Sequence, residues 1–140
     1  MIVYLAVLHF IADFLLQPRS MGRGKGEISI KGISYLSLHL LIQFIIFFAG
    51  LSLLLPYRIS LEFAAINTIC HGIIDISIWK AYPWTVWIRR REDNYTREYL
   101  KKTWRYWDDY LFYWIIGLDQ LLHFSTIVFL WYYITDGGCL

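Results

Sequence analysis

Apolar residues dominate four stretches of the chain, which are residues 2–17, 34–55, 59–79 and 110–134. A helix needs about 20 apolar residues to cross a hydrocarbon core of about 30 Å, and the last three stretches are that long. The first would measure about 24 Å at 1.5 Å per residue, so it requires either local thinning of the bilayer or a start below the membrane surface. The pattern therefore predicts an all-α polytopic membrane protein, a four-helix transmembrane bundle formed by a single domain, residues 1–140.

The overall composition agrees with a membrane protein. Hydrophobic residues make up 58% of the chain and charged residues 17%, whereas soluble proteins contain about 25% charged residues. This composition excludes a disordered chain and a disulfide-rich secreted module, and we expect no nucleic-acid partner. The two cysteines, Cys70 and Cys139, are too far apart to form a CxxC motif.

The positions of the basic residues predict an orientation. Apart from Arg58, every Lys and Arg lies in one of two loops, residues 18–33 and 80–109. With four spans, these loops lie on the same side of the membrane. The positive-inside rule places both loops in the cytoplasm and both termini outside. The glycine-rich 18–33 loop is expected to be a flexible turn close to lipid phosphates.

The segment 80–109 mixes aromatic residues with basic ones. This mixture predicts an amphipathic helix in the headgroup region, where anionic lipid contributes about 1 kcal/mol per basic residue. A docking surface for a cytoplasmic protein, or for a second copy of the chain, is the alternative. The candidate lipid-binding residues are Trp84, Trp87, Arg89, Arg90, Arg91, Lys101, Lys102, Trp104, Arg105 and Trp107.

All four histidines lie inside predicted spans, and three of them have an aspartate four residues away. The pairs are His9 with Asp13, His71 with Asp75, and Asp119 with His123, while His39 has Gln43 at the same spacing. Residues i and i+4 share one face of a helix. Counted inward from the cytoplasmic ends, the paired groups lie about 6–20 Å deep, so a bundle would bring them into one layer. An intramembrane carboxylate costs at least about 2.5–3.5 kcal/mol, so three of them must be compensated together.

Imidazoles and carboxylates on facing helices are ligands for a divalent metal such as Zn²⁺, Mn²⁺ or Fe²⁺. The same residues are also consistent with a buried His–Asp network that only fixes helix packing, or with a proton or ion relay. The candidate metal ligands are His9, Asp13, His39, His71, Asp75, Asp119 and His123. Candidates for supporting them through hydrogen bonds are Gln17, Gln43, Asn67 and Gln120.

The order and spacing of these motifs resemble a family of small bacterial and phage membrane proteins catalogued as a domain of unknown function. The resemblance rests on His9-xxx-Asp13-Phe-xx-Gln17, His39, His71-xxx-Asp75 and Asp119-Gln120-xx-His123, and it covers the whole chain. It implies a multi-pass protein of the bacterial inner (cytoplasmic) membrane. A weaker similarity links the His/Asp motifs to inner-membrane proteins described as metal-dependent hydrolases, at the level of pattern alone.

These features favour an intramembrane metal-dependent hydrolase that acts on a phospholipid or another anionic substrate close to the membrane. A bound metal lowers the pKa of water to about 7 and polarises a phosphoryl or acyl oxygen. One alternative is a proton or divalent-ion transporter or channel. The other is a non-catalytic membrane adaptor that acts through residues 80–109.

Overall fold

The computed structural model describes residues 1–25, 29–92 and 110–136, and within these ranges every regular element is helical. The predicted all-α class is therefore confirmed. The elements are helix α1 (Ile2–Phe10), which continues into a π-helical turn (Ile11–Leu15), then α2 (Arg19–Gly24), α3 (Ile30–Ser52), α4 (Tyr57–Glu92) and α5 (Tyr110–Asp136).

Among the described residues, three helical segments are long and apolar enough to cross a membrane: Ile30–Ser52, Tyr57–Tyr82 and Leu111–Ile134. A fourth, Ile2–Leu15, is apolar but shorter. Large apolar side chains such as Trp114 and Phe129 point outward from this assembly, where lipid rather than water would solvate them. These properties indicate a membrane protein.

The sequence explains where α3 begins and why α4 follows it closely. The Ser29 hydroxyl oxygen accepts a hydrogen bond from the Gly32 amide at 3.0 Å, which caps the first turn of α3. Pro56 precedes α4, and its carbonyl accepts the Ser60 amide at 3.1 Å, which closes the first turn of α4. The short link between α3 and α4 makes them antiparallel neighbours.

One half of the assembly is a purely apolar layer. Leu5, Phe47, Phe63 and Ile127 are almost completely buried there, and the rings of Phe47 and Phe63 stack with centroids 6.0 Å apart. One or two turns further along each helix, the inward positions become polar. Each of the packed helices α1, α3, α4 and α5 thus passes from an apolar layer into a polar one.

Gly50 sets the distance between α1 and α3. A Cβ atom at this position would lie 2.7 Å from the Leu8 Cδ1 atom. The Tyr4 hydroxyl donates a hydrogen bond to the Gly50 carbonyl at 2.9 Å. This close approach holds α1 against α3 and therefore sets the position of the polar residues that follow on α1.

Helix α2 packs on α3, so residues 19–25 do not form the flexible turn expected from the glycine content. Met21 is buried, and the backbone of Gly24 lies against the ring of Tyr35, where no larger residue fits. Lys25, at the end of α2, is also buried. An ammonium beside buried carboxylates explains why this segment is drawn inward rather than toward lipid phosphates.

Much of the predicted lipid-binding segment lies outside the described residues. The backbone of α4 is helical to Glu92. The ten candidate lipid-binding side chains belong either to residues 83–92, whose side chains are not described, or to residues 93–109. Contact between this segment and lipid therefore stays a prediction.

We expect Gly50→Leu to lower the melting temperature of the detergent-solubilised protein, because overpacking at a close contact costs about 1–3 kcal/mol. Gly117→Leu is the matched control, since nothing in the described part of the chain lies within 4 Å of a Cβ placed there. Thermal unfolding followed by circular dichroism measures both variants. Equal melting temperatures for the two variants would contradict the close α1–α3 contact.

Candidate metal centre

The polar layer collects side chains from four helical segments. All seven candidate metal ligands predicted from the sequence lie in this layer, and all seven are buried. The segment Ile2–Leu15 supplies His9 and Asp13, α3 supplies His39, α4 supplies His71 and Asp75, and α5 supplies Asp119 and His123.

The π-helical turn positions Asp13. The Leu16 amide bonds to the Ile11 carbonyl at 2.9 Å, five residues earlier, so this turn is wider than an α-helical one. Such turns change the direction in which a side chain leaves the helix and often occur at functional sites. Here Asp13 reaches across to α3, and its Oδ1 atom lies 3.2 Å from the Nε2 atom of His39.

Asp13, His39 and His71 form a first group of potential metal ligands, whose ligating atoms all lie within 4.8 Å of one another. The Nε2 atoms of His39 and His71 are 2.8 Å apart. The Oδ1 atom of Asp13 is 3.7 Å from His71 Nε2. We call these three residues the first group.

His71, Asp75 and His123 form a second group that meets the same 4.8 Å criterion. Asp75 Oδ2 lies 3.6 Å from His71 Nε2, and Asp75 Oδ1 lies 3.7 Å from His123 Nε2. The rings of His71 and His123 stack with centroids 3.8 Å apart. The second group therefore overlaps the first at His71.

His9 and Asp119 lie beside these two groups rather than in them. The Nε2 atom of His9 is 3.2 Å from Gln120 Oε1 and 3.9 Å from Asp13 Oδ2. Asp119 Oδ1 lies 3.5 Å from His123 Nε2. Asp119 and His123 thus form a carboxylate–imidazole pair at the α5 side of the layer.

Lys25 also belongs to the layer, although no pattern in the sequence marks it. Its Nζ atom donates to both oxygens of Asp75, at 2.8 Å and 2.9 Å, and lies 3.9 Å from Asp13 Oδ1. In the sequence, Lys25 is one of several basic residues in a glycine-rich loop. The only signal in the sequence is indirect: three intramembrane carboxylates require a cation.

Amide side chains connect the helices around the two groups. Gln120 donates to Asp13 Oδ2 at 2.9 Å and to Asp119 Oδ2 at 3.3 Å, and Gln43 Nε2 lies 3.4 Å from His71 Nε2. With its amide turned to suit its neighbours, Gln17 donates to the Asp13 carbonyl at 2.7 Å and accepts from Lys25 at 3.3 Å. Three of the four predicted supporting residues therefore touch the cluster directly.

The fourth predicted supporting residue, Asn67, is buried one turn before His71 on α4. Its Nδ2 atom has no hydrogen-bond partner within the described ranges. Asn67 thus lies on the helix that carries His71 and Asp75, and its amide nitrogen does not bond to either of them.

The donor atoms fit a divalent metal ion. Asp13 Oδ1, in the first group, and His123 Nε2, in the second, are buried and have no hydrogen-bond partner among residues 1–25, 29–92 and 110–136. A buried polar atom without a partner costs about 1–3 kcal/mol, and a coordinated cation would remove that cost. Mixed imidazole and carboxylate donors suit Zn²⁺, Mn²⁺ or Fe²⁺. The buried His/Asp groups could therefore hold a metal ion.

Comparison with known proteins gives a family and no activity. A family model described as "Protein of unknown function (DUF3307)" matches residues 1–138, so the chain belongs to that family. No match was found among curated proteins or among solved structures.

We expect Gln120→Leu to destabilise the protein, because Asp13 and Asp119 would each lose a buried donor, at about 1–3 kcal/mol per lost partner. Thr126→Val on the same helix is the control, since the Thr126 hydroxyl donates to the Leu122 carbonyl of its own helix, at 2.9 Å. The melting temperature in detergent is the measurement. A Gln120→Leu variant as stable as Thr126→Val would mean that Gln120 does not link the helices.

Proposed function

We propose that this member of the DUF3307 family is a metal-dependent hydrolase, with one divalent ion held among its membrane helices and an anionic substrate, such as a phospholipid headgroup, at the membrane surface. One observation carries the proposal. Two overlapping groups of buried imidazole and carboxylate ligands each contain an atom that no described residue satisfies. A network that only fixed helix packing would not need buried ligand atoms that lack hydrogen-bond partners.

Charge and geometry both favour a single ion. Within the described part of the chain, the carboxyl groups of Asp13, Asp75 and Asp119 share a single lysine ammonium, that of Lys25, so a divalent cation would bring the charge of the site closer to balance. The contacts of His71 with His39, Asp13 and Asp75 run through its Nε2 atom. One ring nitrogen has one lone pair, so His71 Nε2 binds one ion at a time.

A bound ion would polarise the ester of the substrate and acidify a water molecule. In hydrolysis the water oxygen bonds to phosphorus or carbon, and the ester oxygen leaves as an alkoxide. Asp119 and His123 form the proton-handling pair, because Asp119 Oδ1 and His123 Nε2 lie 3.5 Å apart and have no hydrogen-bond partner within the described chain. This pair takes the proton of the water and returns it to the leaving alkoxide. The apolar layer of Phe47 and Phe63 keeps bulk water away from the opposite side of the site.

The substrate would approach from the cytoplasmic side of a bacterial inner membrane, with both termini outside. The basic residues support this orientation, since the loops 18–33 and 80–109 hold every Lys and Arg except Arg58. The basic residues of the segment 80–109 would attract anionic lipid headgroups. The segment 80–109 would thereby concentrate the substrate near the mouth of the site.

Transport of a divalent ion is the second candidate. It is favoured by the shared ligand His71, because an ion could step from the first group to the second without leaving its Nε2 atom's reach. In a transporter, however, the ion would be cargo rather than a resident cofactor.

We expect the purified protein to contain about one equivalent of Zn²⁺, Mn²⁺ or Fe²⁺ by elemental analysis. Asp13→Asn or His39→Gln should lower metal affinity at least about tenfold, because each variant loses a donor atom of the first group. Glu62→Gln is the matched control, since the Glu62 side chain is 44% exposed and pairs with Arg58 at 3.0 Å.

A purely structural His–Asp network would give the opposite result. The parent protein would contain no metal, and replacing whole pairs by leucine would leave the melting temperature unchanged or raise it. The informative double variants are His9/Asp13, His71/Asp75 and Asp119/His123, each changed to Leu/Leu. That outcome would end the hydrolase proposal.

We further expect metal-loaded protein in liposomes of anionic phospholipid to release headgroup or acyl products, and Asp119→Asn to abolish this release while the metal content stays near parent level. Product analysis by mass spectrometry is the measurement. Ion flux without lipid hydrolysis would favour the transporter. Neither flux nor hydrolysis, in protein that binds vesicles, would favour the adaptor.

A further inference from the structure

We propose that Lys25 determines which of the two overlapping groups holds the metal ion: by occupying Asp75, it directs the ion to Asp13, His39 and His71. This inference rests on the proposed metal function and concerns the selection of ligands within the same site. Lys25 is thus a positioning residue rather than a ligand.

Lys25 makes the two groups unequal. Both oxygens of Asp75 accept hydrogen bonds from Lys25 Nζ, at 2.8 Å and 2.9 Å. Asp13 Oδ1 is 3.9 Å from the same ammonium, beyond hydrogen-bond distance, and has no hydrogen-bond partner in the described part of the chain. In the first group, the Oδ1 atom of Asp13 is therefore available to a metal ion while Oδ2 accepts from Gln120, whereas both oxygens of Asp75 in the second group are already engaged.

Electrostatic repulsion acts in the same direction. An ion in the second group would share the Asp75 carboxylate with the ammonium, so two positive charges would be separated by one carboxyl group. Coulomb repulsion falls with distance and is stronger in a buried site than in water. An ion held by Asp13, His39 and His71 uses a carboxylate oxygen that lies further from the ammonium nitrogen.

Packing of α2, and not the ion pair alone, holds Lys25 in place. Met21 is buried, and Gly24 fits against the Tyr35 ring at the end of the helix. The Gln17 amide accepts a further hydrogen bond from Lys25 at 3.3 Å. The ammonium therefore stays on Asp75 when an ion enters the first group, and the ammonium and the divalent ion together balance the three carboxylates.

This selection leaves His123 free of metal. Its Nε2 atom remains 3.5 Å from Asp119 Oδ1, where the two can exchange a proton with a reacting water. In the second group the same nitrogen would be a ligand and could not accept a proton. Lys25 thereby separates the metal-binding histidines from the proton-handling one.

The test compares one substitution in each group, with and without the Lys25 charge. Zn²⁺ affinity of the full-length protein in detergent is measured for Asp13→Asn and His123→Gln, each alone and combined with Lys25→Met. With Lys25 present, we expect Asp13→Asn to weaken Zn²⁺ binding at least tenfold and His123→Gln to change it less than twofold. With Lys25→Met, binding of the parent should strengthen, and His123→Gln should now weaken it at least tenfold.

Two further variants control this experiment. Lys31→Met removes an exposed lysine at the start of α3. In this background, Zn²⁺ affinity should depend on Asp13 and not on His123, as in the parent. Lys25→Arg retains the charge and should also keep this dependence, which preserves the test if Lys25→Met does not yield folded protein. If His123→Gln weakens Zn²⁺ binding in the Lys25→Arg background as strongly as in the Lys25→Met background, the proposal is wrong.

The outcomes separate this inference from the proposed function. If Zn²⁺ binds but His123→Gln and Asp13→Asn weaken it equally in both backgrounds, Lys25 does not select the group, and the metal function stands. If neither the parent nor Lys25→Met binds Zn²⁺, both the inference and the hydrolase proposal are wrong. If Lys25 has a purely structural role, Lys25→Met will lower the melting temperature. Zn²⁺ affinity will then still depend on Asp13 and will not come to depend on His123.

Discussion

The structure depends on the need to neutralise three carboxylates buried among apolar helices. Asp13, Asp75 and Asp119 are each at most 5% exposed, and an ionised carboxylate loses a large hydration energy in such surroundings. The fold answers with Lys25 on Asp75, imidazole nitrogens beside all three carboxylates, and the Gln120 amide between Asp13 and Asp119. Because these partners come from five different helical segments, neutralising the carboxylates also fixes how the segments pack.

Packing in the apolar layer makes this arrangement possible. The close contact of Gly50 with Leu8 and the stacking of Phe47 on Phe63 hold α1, α3 and α4 at fixed distances. The polar residues begin about one turn beyond these contacts, so small errors in helix position would separate ligands that otherwise lie within reach of one another. Interiors are packed too tightly to absorb such shifts easily. Packing in the apolar layer therefore fixes the helix positions, and these positions bring the charged side chains of the polar layer together.

The two ligand groups share His71, so a cation could be bound in either of two overlapping positions. A symmetrical cluster of three aspartates and four histidines would offer a cation several equivalent positions. Lys25 removes this equivalence by engaging Asp75, and the nearby Asp119–His123 pair is left with nitrogen and oxygen atoms that no described residue satisfies. For the proposed hydrolysis of an anionic ester, the chain would supply a cation site among Asp13, His39 and His71, and the neighbouring Asp119–His123 pair would handle the proton.

The sequence by itself determined the helical class, the apolar helices and the histidines and aspartates of the polar layer. These follow from local pattern, because hydropathy sets span length and i,i+4 spacing sets the helix face. Tertiary structure alone decided three things: the burial of Lys25, the π-helical turn that aims Asp13 at His39, and the sharing of His71 between two groups. Lys25 belongs to a loop with no periodicity, and its position results from Gly24 packing on Tyr35 and from carboxylates distant in sequence. Helical periodicity identifies which residues face inward, but which atoms meet there depends on helix distances and rotations that only the packed chain defines.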